Sequence, residues 1–173
     1  MKKTELLDRC GAAGEDRLLL AKVLDRAEQA AERNIPAWTD FLSPQQQAQA
    51  QDLLRLAGIS ETAWLRQGGY EGAERNILLF LPDWMEPEMA ESPLRCLRAS
   101  FRPEYALTHR DILGSLMGMG IVREKVGDIL VSSESADLIV LDTVAEFLLS
   151  SWESAGRARL AVTEIPAAHL HIP

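Results

Sequence analysis

Asp128-Ile129-Leu130-Val131-Ser132-Ser133-Glu134-Ser135-Ala136-Asp137-Leu138-Ile139-Val140 is the stretch on which the fold turns. Two short apolar runs, Asp128–Val131 and Ala136–Val140, flank four polar residues, Ser132 to Ser135, and that pattern reads as a β-hairpin. Ahead of it, Thr108–Gly118 reads as a helix, and Leu94–Phe101 as a strand before that helix. On the other side Thr143–Ser154 reads as a helix, with Thr143 and Glu146 as a capping box and Gly156 as its stop. Arg159–Glu164 follows as a last strand. The order strand, helix, strand, strand, helix, strand predicts an α+β fold with a ferredoxin-like (βαββαβ) antiparallel sheet domain. Right-handed crossovers place both of its helices on one face of the sheet.

The preceding half has a different texture. Glu15–Asn34 carries Leu20, Leu24, Ala27 and Ala31 at helical spacing, and Asn34-Ile35-Pro36 ends that helix. A second helix opens at Ser43 as N-cap, with Pro44 in the first helical position and Gln46 completing a capping box. Leu53, Leu54 and Leu56 are its expected buried side, and Gly58 its stop. Thr62–Gln67 and Asn76–Leu81 then read as strands joined by a glycine-rich turn, and Pro82–Pro93 as a loop. The expected organisation is a helical N-terminal region over 1–59, a β-hairpin and loop over 60–93, the ferredoxin-like domain over 94–165, and a linker over 166–173.

Composition excludes several classes. The chain has 173 residues and two cysteines, Cys10 and Cys96, without CxxC spacing, which argues against a zinc site or a disulfide framework. No apolar run approaches the roughly 20 residues of a membrane span, and Met1-Lys2-Lys3-Thr4-Glu5 precedes no apolar signal region. The expected compartment is the cytoplasm, with no membrane contact. A net charge of −8 disfavours phosphate binding by the chain as a whole. The charge is uneven, however. Between Leu94 and Lys125 six basic residues face three acidic ones, whereas from Val126 to Pro173 two face seven. That asymmetry predicts a basic region on an acidic body.

Three constellations could carry binding chemistry. In Thr108-His109-Arg110-Asp111, Thr108 suits an N-cap and Asp111 the first turn of a helix. His109 and Arg110 do not suit the positive end of a helix, at a cost of about 0.3–1 kcal/mol each. An anion held there would reverse that balance, and two side chains simply extended into solvent are the alternative. The same helix carries Gly114 and Gly118, one turn apart, which cost about 1 kcal/mol each against alanine. They predict close backbone approach, either of the sheet beneath or of a nucleic-acid strand. Arg123 and Lys125 enter the hairpin's first strand and could reach a phosphate. Gly68-Gly69-Tyr70-Glu71-Gly72-Ala73-Glu74-Arg75 combines close backbone approach at Gly68 and Gly69 with a stacking aromatic, Tyr70, and a cation, Arg75.

Catalysis is not expected. No nucleophile, metalloprotease or kinase signature is present, and His109 has no neighbouring ligand for a metal. His169 and His171 fall in a tail expected to fray. No cofactor, metal or small-molecule substrate is anticipated. Nor are bases expected to stack on the sheet, since Leu94–Phe101 offers only Phe101 and Ala136–Val140 no aromatic.

These constellations occur in a recognisable order. Phe41-Leu42-Ser43-Pro44-Gln45-Gln46, the segment Gly68–Arg75, and the run from Leu107 through Thr108-His109-Arg110-Asp111 to Ile121 and on from Arg123 to Ile129 together resemble the YlmH family over roughly Asp40 to Ile165. The resemblance implies a helical N-terminal region, a ferredoxin-like RNA-binding domain and a C-terminal alpha-L RNA-binding domain. It implies an RNA-binding protein of bacterial translation, acting on large ribosomal subunits or tRNA in quality control of stalled chains. This sequence departs from the family by turning apolar at Asn76-Ile77-Leu78-Leu79, where members continue basic. The tail Pro166–Pro173 is read as a linker toward the alpha-L domain, and the 173-residue chain alone is expected to bind RNA weakly. The rival reading is a protein-interaction module with an acidic surface that does not itself contact RNA.

Overall fold

The computed structural model describes residues 2–59, 63–67, 75–89 and 91–170, and for residues 63–67 the backbone alone. They divide into two compact units. One comprises the residues up to Gln67 together with Arg75 to Glu91, and the other begins at Ser92.

In the first unit, helices α1 (Lys3–Arg9), α2 (Gly14–Arg33) and α3 (Pro44–Leu56) accompany a sheet of order β1-β3-β2, where β1 is Ala37–Trp38, β2 Ala63–Gln67 and β3 Asn76–Phe80. Asn34 ends α2 in the left-handed region, φ 55°, as its short polar side chain permits. Ser43 caps α3 as expected: its hydroxyl accepts from the Gln46 N–H, and the Gln46 side chain accepts from the Ser43 N–H. Leu53 and Leu54 are buried, but Leu56 is exposed. The apolar stripe centres between Ala50 and Leu54, and Leu56 falls about a third of a turn away.

Two elements lie outside the sequence expectation. Helix α1 buries Leu6 and Leu7, and β1 pairs antiparallel with the end of β3. The β1 segment continues along β3 through Thr39, whose N–H donates to the Leu78 carbonyl while its hydroxyl accepts from the Leu78 N–H, both at 3.0 Å. Leu78 and Phe80 of β3 share one core with Leu20, Leu24, Leu53 and Leu54. The helices and this sheet therefore form one body, where the sequence suggested a helical region separate from the hairpin. Amphipathic helices must bury their apolar stripe somewhere, and the apolar strand is the surface available.

The second unit is built on a four-stranded sheet of order β5-β6-β4-β9, antiparallel throughout, formed by β4 (Leu94–Ser100), β5 (Val126–Val131), β6 (Ser135–Leu141) and β9 (Ala161–Ile165). Helices α4 (His109–Gly118) and α5 (Asp142–Ser151) bury Ile112, Leu116, Val144, Ala145 and Leu148 in a single core with Leu97, Ala99, Leu138 and Val140. Both helices thus lie on the same face. Each fully buried leucine there contributes about 2 kcal/mol of transfer free energy.

The edges of these elements differ from the sequence reading. Helix α5 starts at Asp142 without a side-chain cap. Strand β6 runs to Leu141, the Asp142 N–H bonds to the Pro93 carbonyl at 2.7 Å, and Glu146 is drawn away to Arg95. The anticipated Thr143–Glu146 box therefore does not form. Gly156, φ 59°, is not a helix stop but the turn of a small hairpin, β7 (Ser154–Ala155) and β8 (Ala158–Arg159). Consequently β9 begins at Ala161. The described part of the tail, Pro166–Leu170, packs on the unit. Ala167–His169 forms a 3₁₀ turn, Leu170 is buried, and the His169 carbonyl accepts from the Arg98 guanidinium at 2.8 Å. His171 lies outside the described residues.

Candidate nucleic-acid interface

The start of α4 is built by its own first turn. The Thr108 hydroxyl accepts from the Asp111 N–H at 3.3 Å, and the Asp111 carboxylate accepts from the Thr108 N–H at 2.8 Å and from its hydroxyl at 3.0 Å. These bonds hold the Asp111 carboxyl below its usual range, with a lesser pull from Arg110. The carboxylate is thereby committed to the cap, and His109 and Arg110 stand exposed beside the first free N–H groups of the helix. No hydrogen bond or ion pair joins either side chain to another group among the described residues.

Arg110, Gly114 and Gly118 follow at four-residue spacing and so share one stripe of α4. It is the outward stripe. Ile112 and Leu116 occupy the opposite side, and a Cβ placed on Gly114 or Gly118 would meet no atom within 4 Å. Packing of these glycines against the sheet is thus ruled out within the second unit. The helix is held to its neighbours instead by Ser115, whose hydroxyl donates to the Ser154 carbonyl at 2.7 Å and accepts from the Trp152 indole at 3.0 Å.

At the far end of α4, Arg123 and Lys125 lie in a 3₁₀ turn entering β5. Arg123 is not poised toward solvent. Its guanidinium donates to the Val126 carbonyl and, at 3.1 Å, to the Gly127 carbonyl, which pins the turn. Lys125 is half-buried and makes no ion pair with another described residue. The ten residues of α4 separate its two ends by about 15 Å, so His109 and Arg110 do not form one cluster with Arg123 and Lys125. Arg75 is half-buried and belongs to the first unit. Tyr70, Gly68 and Gly69 lie outside the described residues.

Folding pairs two of the six basic residues between Leu94 and Lys125, Arg95 and Arg98, with carboxylates. Arg95 bonds Glu146 at 2.7 Å and Glu164 at 2.6 Å, and Arg98 holds the fully buried Asp137 through two bonds of 2.8 and 3.0 Å. Both arginines are raised above their ordinary pKa, chiefly by these carboxylates. What remains exposed lies around the start of α4, where Arg102 and the partly exposed Tyr105 precede the Thr108 cap. The sequence reading did not single out Arg102 and Tyr105. An arginine three residues before an aromatic, next to a helix start, was the available signal. Phe101 is buried in the core, so it offers no stacking surface.

Acid should act on this unit through Glu164 and Asp111, both depressed by their hydrogen bonds. A lowered folded pKa contributes stability above the unfolded value, about 4, and that contribution disappears as pH falls through the folded value. The expected result is that Glu164→Gln melts earlier than the parent at pH 7, and that the gap closes as pH falls below about 4. Thermal melts across that range check it; a gap independent of pH would show that the Arg95 pair contributes nothing through ionisation.

Two family models match. The one described as "YlmH, N-terminal" covers residues 15–83, and the one described as "Putative RNA-binding domain in YlmH" covers residues 99–169. The "Ribosome-associated protein quality control protein P2" of Bacillus subtilis (strain 168) is 32% identical over 136 residues, which is 78% of this chain and 52% of that protein. The chain therefore spans about half the length of this curated relative. The solved structure of "Cell division protein ylmH from Streptococcus pneumoniae" is similar with a TM-score of 0.66 and 24% identity, covering 91% of this chain and 94% of that one. At that identity the likeness concerns the fold alone. Among the described residues no helix is long and apolar enough to cross a membrane.

Proposed function

The chain belongs to the YlmH family, and from that premise we propose that it is an RNA-binding protein of translation, acting in the cytoplasm on large ribosomal subunits or tRNA in the quality control of stalled chains. The second unit is the ferredoxin-like RNA-binding domain in this reading; its strand order and the two helices on one face support it. No catalytic step belongs to the proposal. The observation that carries it is the match of the RNA-binding-domain model to residues 99–169, within which the outward stripe of α4 runs from Arg110, which makes no ion pair with a described residue, to two uncovered glycines.

In this reading Arg102, Tyr105, His109 and Arg110 meet RNA at the start of α4, Gly114 and Gly118 let the strand approach, and Lys125 meets it at the far end. Arg75, on the first unit, and Tyr70, outside the described residues, are further candidates. Arg123 shapes the turn that presents Lys125. The rival, a protein-interaction module, draws on the net charge of −8. Titration of the chain with purified large-subunit RNA, and separately with the subunit's proteins, decides between them. RNA binding with log K falling linearly in log salt is expected. Binding to the proteins alone would favour the rival.

Glycines 114 and 118 supply a second, sharper test. Neither has a positive φ, and neither Cβ would clash. Gly114→Ala should therefore stabilise the helix by about 1 kcal/mol, with a smaller gain at Gly118 in the last turn. The proposal requires the same substitutions to weaken RNA binding several-fold. Denaturant melts and filter binding on the same preparations measure both; alanines that stabilise and leave affinity intact would remove the glycine stripe from the interface.

A further inference from the structure

The first unit carries a groove that the RNA reading does not use. It has a volume of about 310 Å³ and runs between the C-terminal half of α2, at Ala27 and Ala31, and a wall formed by Ile59, Leu81 and Pro82. Such a volume is at the lower end of that of sites which take a small apolar ligand or a few side chains of a partner. Small alanines floor it, so little side-chain bulk has to move to admit an apolar anchor.

Two features say what covers this groove. The first is a fixed aromatic beside it. Trp84 is 54% exposed, yet its indole N–H donates to the Asn34 carbonyl at 3.0 Å, and Asn34 lines the groove. The ring is thus held at one edge with its face open, the arrangement of a rigid interface anchor. Ile35, also exposed, follows Asn34 in sequence. The second is charge. Asp83 and Glu28 are part of the lining. From Pro82 to Glu91 the chain holds Asp83, Glu86, Glu88 and Glu91 and no basic residue. The α2 cations that flank the lining residues, Arg26 and Arg33, each lie about a third of a turn from the groove-facing side.

We infer that this groove docks a short Lys/Arg-rich segment of a partner protein, whose apolar side chains enter beside Trp84 while its cations meet Asp83 and Glu28. The acidic lining repels RNA phosphates, so this surface and the RNA surface proposed at α4 are separate in chemistry and lie on different units. Proteins that coat RNA carry basic segments of this kind, and a partner of that class would let the two units engage one ribonucleoprotein through its two components.

The test uses the whole chain and a fluorescein-labelled 14-residue helical peptide of leucine and lysine, with leucines at i, i+3, i+4 and i+7. A second peptide has the same composition with its leucines scattered. Anisotropy is expected to give saturable binding of the first peptide, about ten-fold tighter than of the second. Trp84→Ala and Asp83→Lys are each expected to weaken it about ten-fold, and Ala31→Arg, which fills the groove from its exposed floor, to abolish it. Unchanged melting temperatures show that the variants fold, and Ala31→Arg tests the groove if Trp84→Ala does not. Equal affinity for the two peptides, or full affinity in Ala31→Arg, overturns the inference. A concentration-dependent dimer in sedimentation equilibrium that Trp84→Ala dissolves would overturn it in favour of a second copy of this chain. Loss of RNA binding by the second unit leaves every one of these outcomes unaffected.

Discussion

Replacing Arg98 with methionine is expected to destabilise the second unit by about 3 kcal/mol. Asp137 is fully buried on β6, directly across the ladder from Arg98, and takes two bonds from its guanidinium. Removing the arginine leaves a carboxylate in the interior without its principal counter-charge, and uncompensated burial of a charge is far more costly than the loss of a surface pair. The same substitution releases the His169 carbonyl, so the tail turn should loosen along with the sheet. Urea melts of the parent and Arg98→Met measure the cost. A double variant, Arg98→Met with Asp137→Leu, separates the pair from the arginine itself. Well-packed apolar replacements of a buried ion pair are often neutral or stabilising, so the double variant should recover most of the loss. A single variant within about 0.5 kcal/mol of the parent would mean that Asp137 is satisfied by other partners.

Reversing the charge at Arg110 is expected to have the largest effect on binding. Arg110 stands exposed at the positive end of α4, with Asp111 committed to the cap. Arg110→Glu should lower RNA affinity by about ten-fold or more at low salt and reduce the slope of log K against log salt by about one. Lys125→Ala should reduce the slope similarly. Arg123→Ala should behave differently, because its guanidinium is bonded to the Val126 and Gly127 carbonyls. Its loss should cost about 1.5–3 kcal/mol of stability and leave the slope where it was. Slopes from binding at several salt concentrations, set beside melts of the same variants, distinguish the two roles. An unaltered slope in Arg110→Glu would sink the assignment of the α4 start to RNA. A reduced slope in a fully stable Arg123→Ala would return Arg123 to the interface.

Much of this molecule is legible in its residues alone. Caps and periodicity are local, and the Ser43 and Thr108 boxes form where those residue types occur. So do the strands Asn76–Phe80, Leu94–Ser100 and Ser135–Leu141, because apolar runs bounded by turn residues have few other ways to bury themselves. The order of elements in the second half follows once the hairpin is placed. The Thr143 cap fails for a non-local reason, since its glutamate partner is claimed by an arginine 51 residues away. The small hairpin around Gly156 is hidden because a glycine with positive φ ends a helix and turns a strand equally well.

The electrostatics mark the boundary of what the chain reveals in one dimension. Read in order, Arg95 and Arg98 belong to a basic stretch facing an acidic tail. Strand pairing places Arg98 against Asp137 and brings Arg95 to Glu164, so these charges cancel. The same holds for the glycines of α4, whose type predicted close approach but whose surroundings are open. Which segments become helix or strand was already written in the order of residues, because those preferences are set within a few positions. Which cations stay free to meet an anion was settled by folding alone. Coulomb interactions depend on distances through space, and antiparallel pairing brings together residues that the chain keeps far apart.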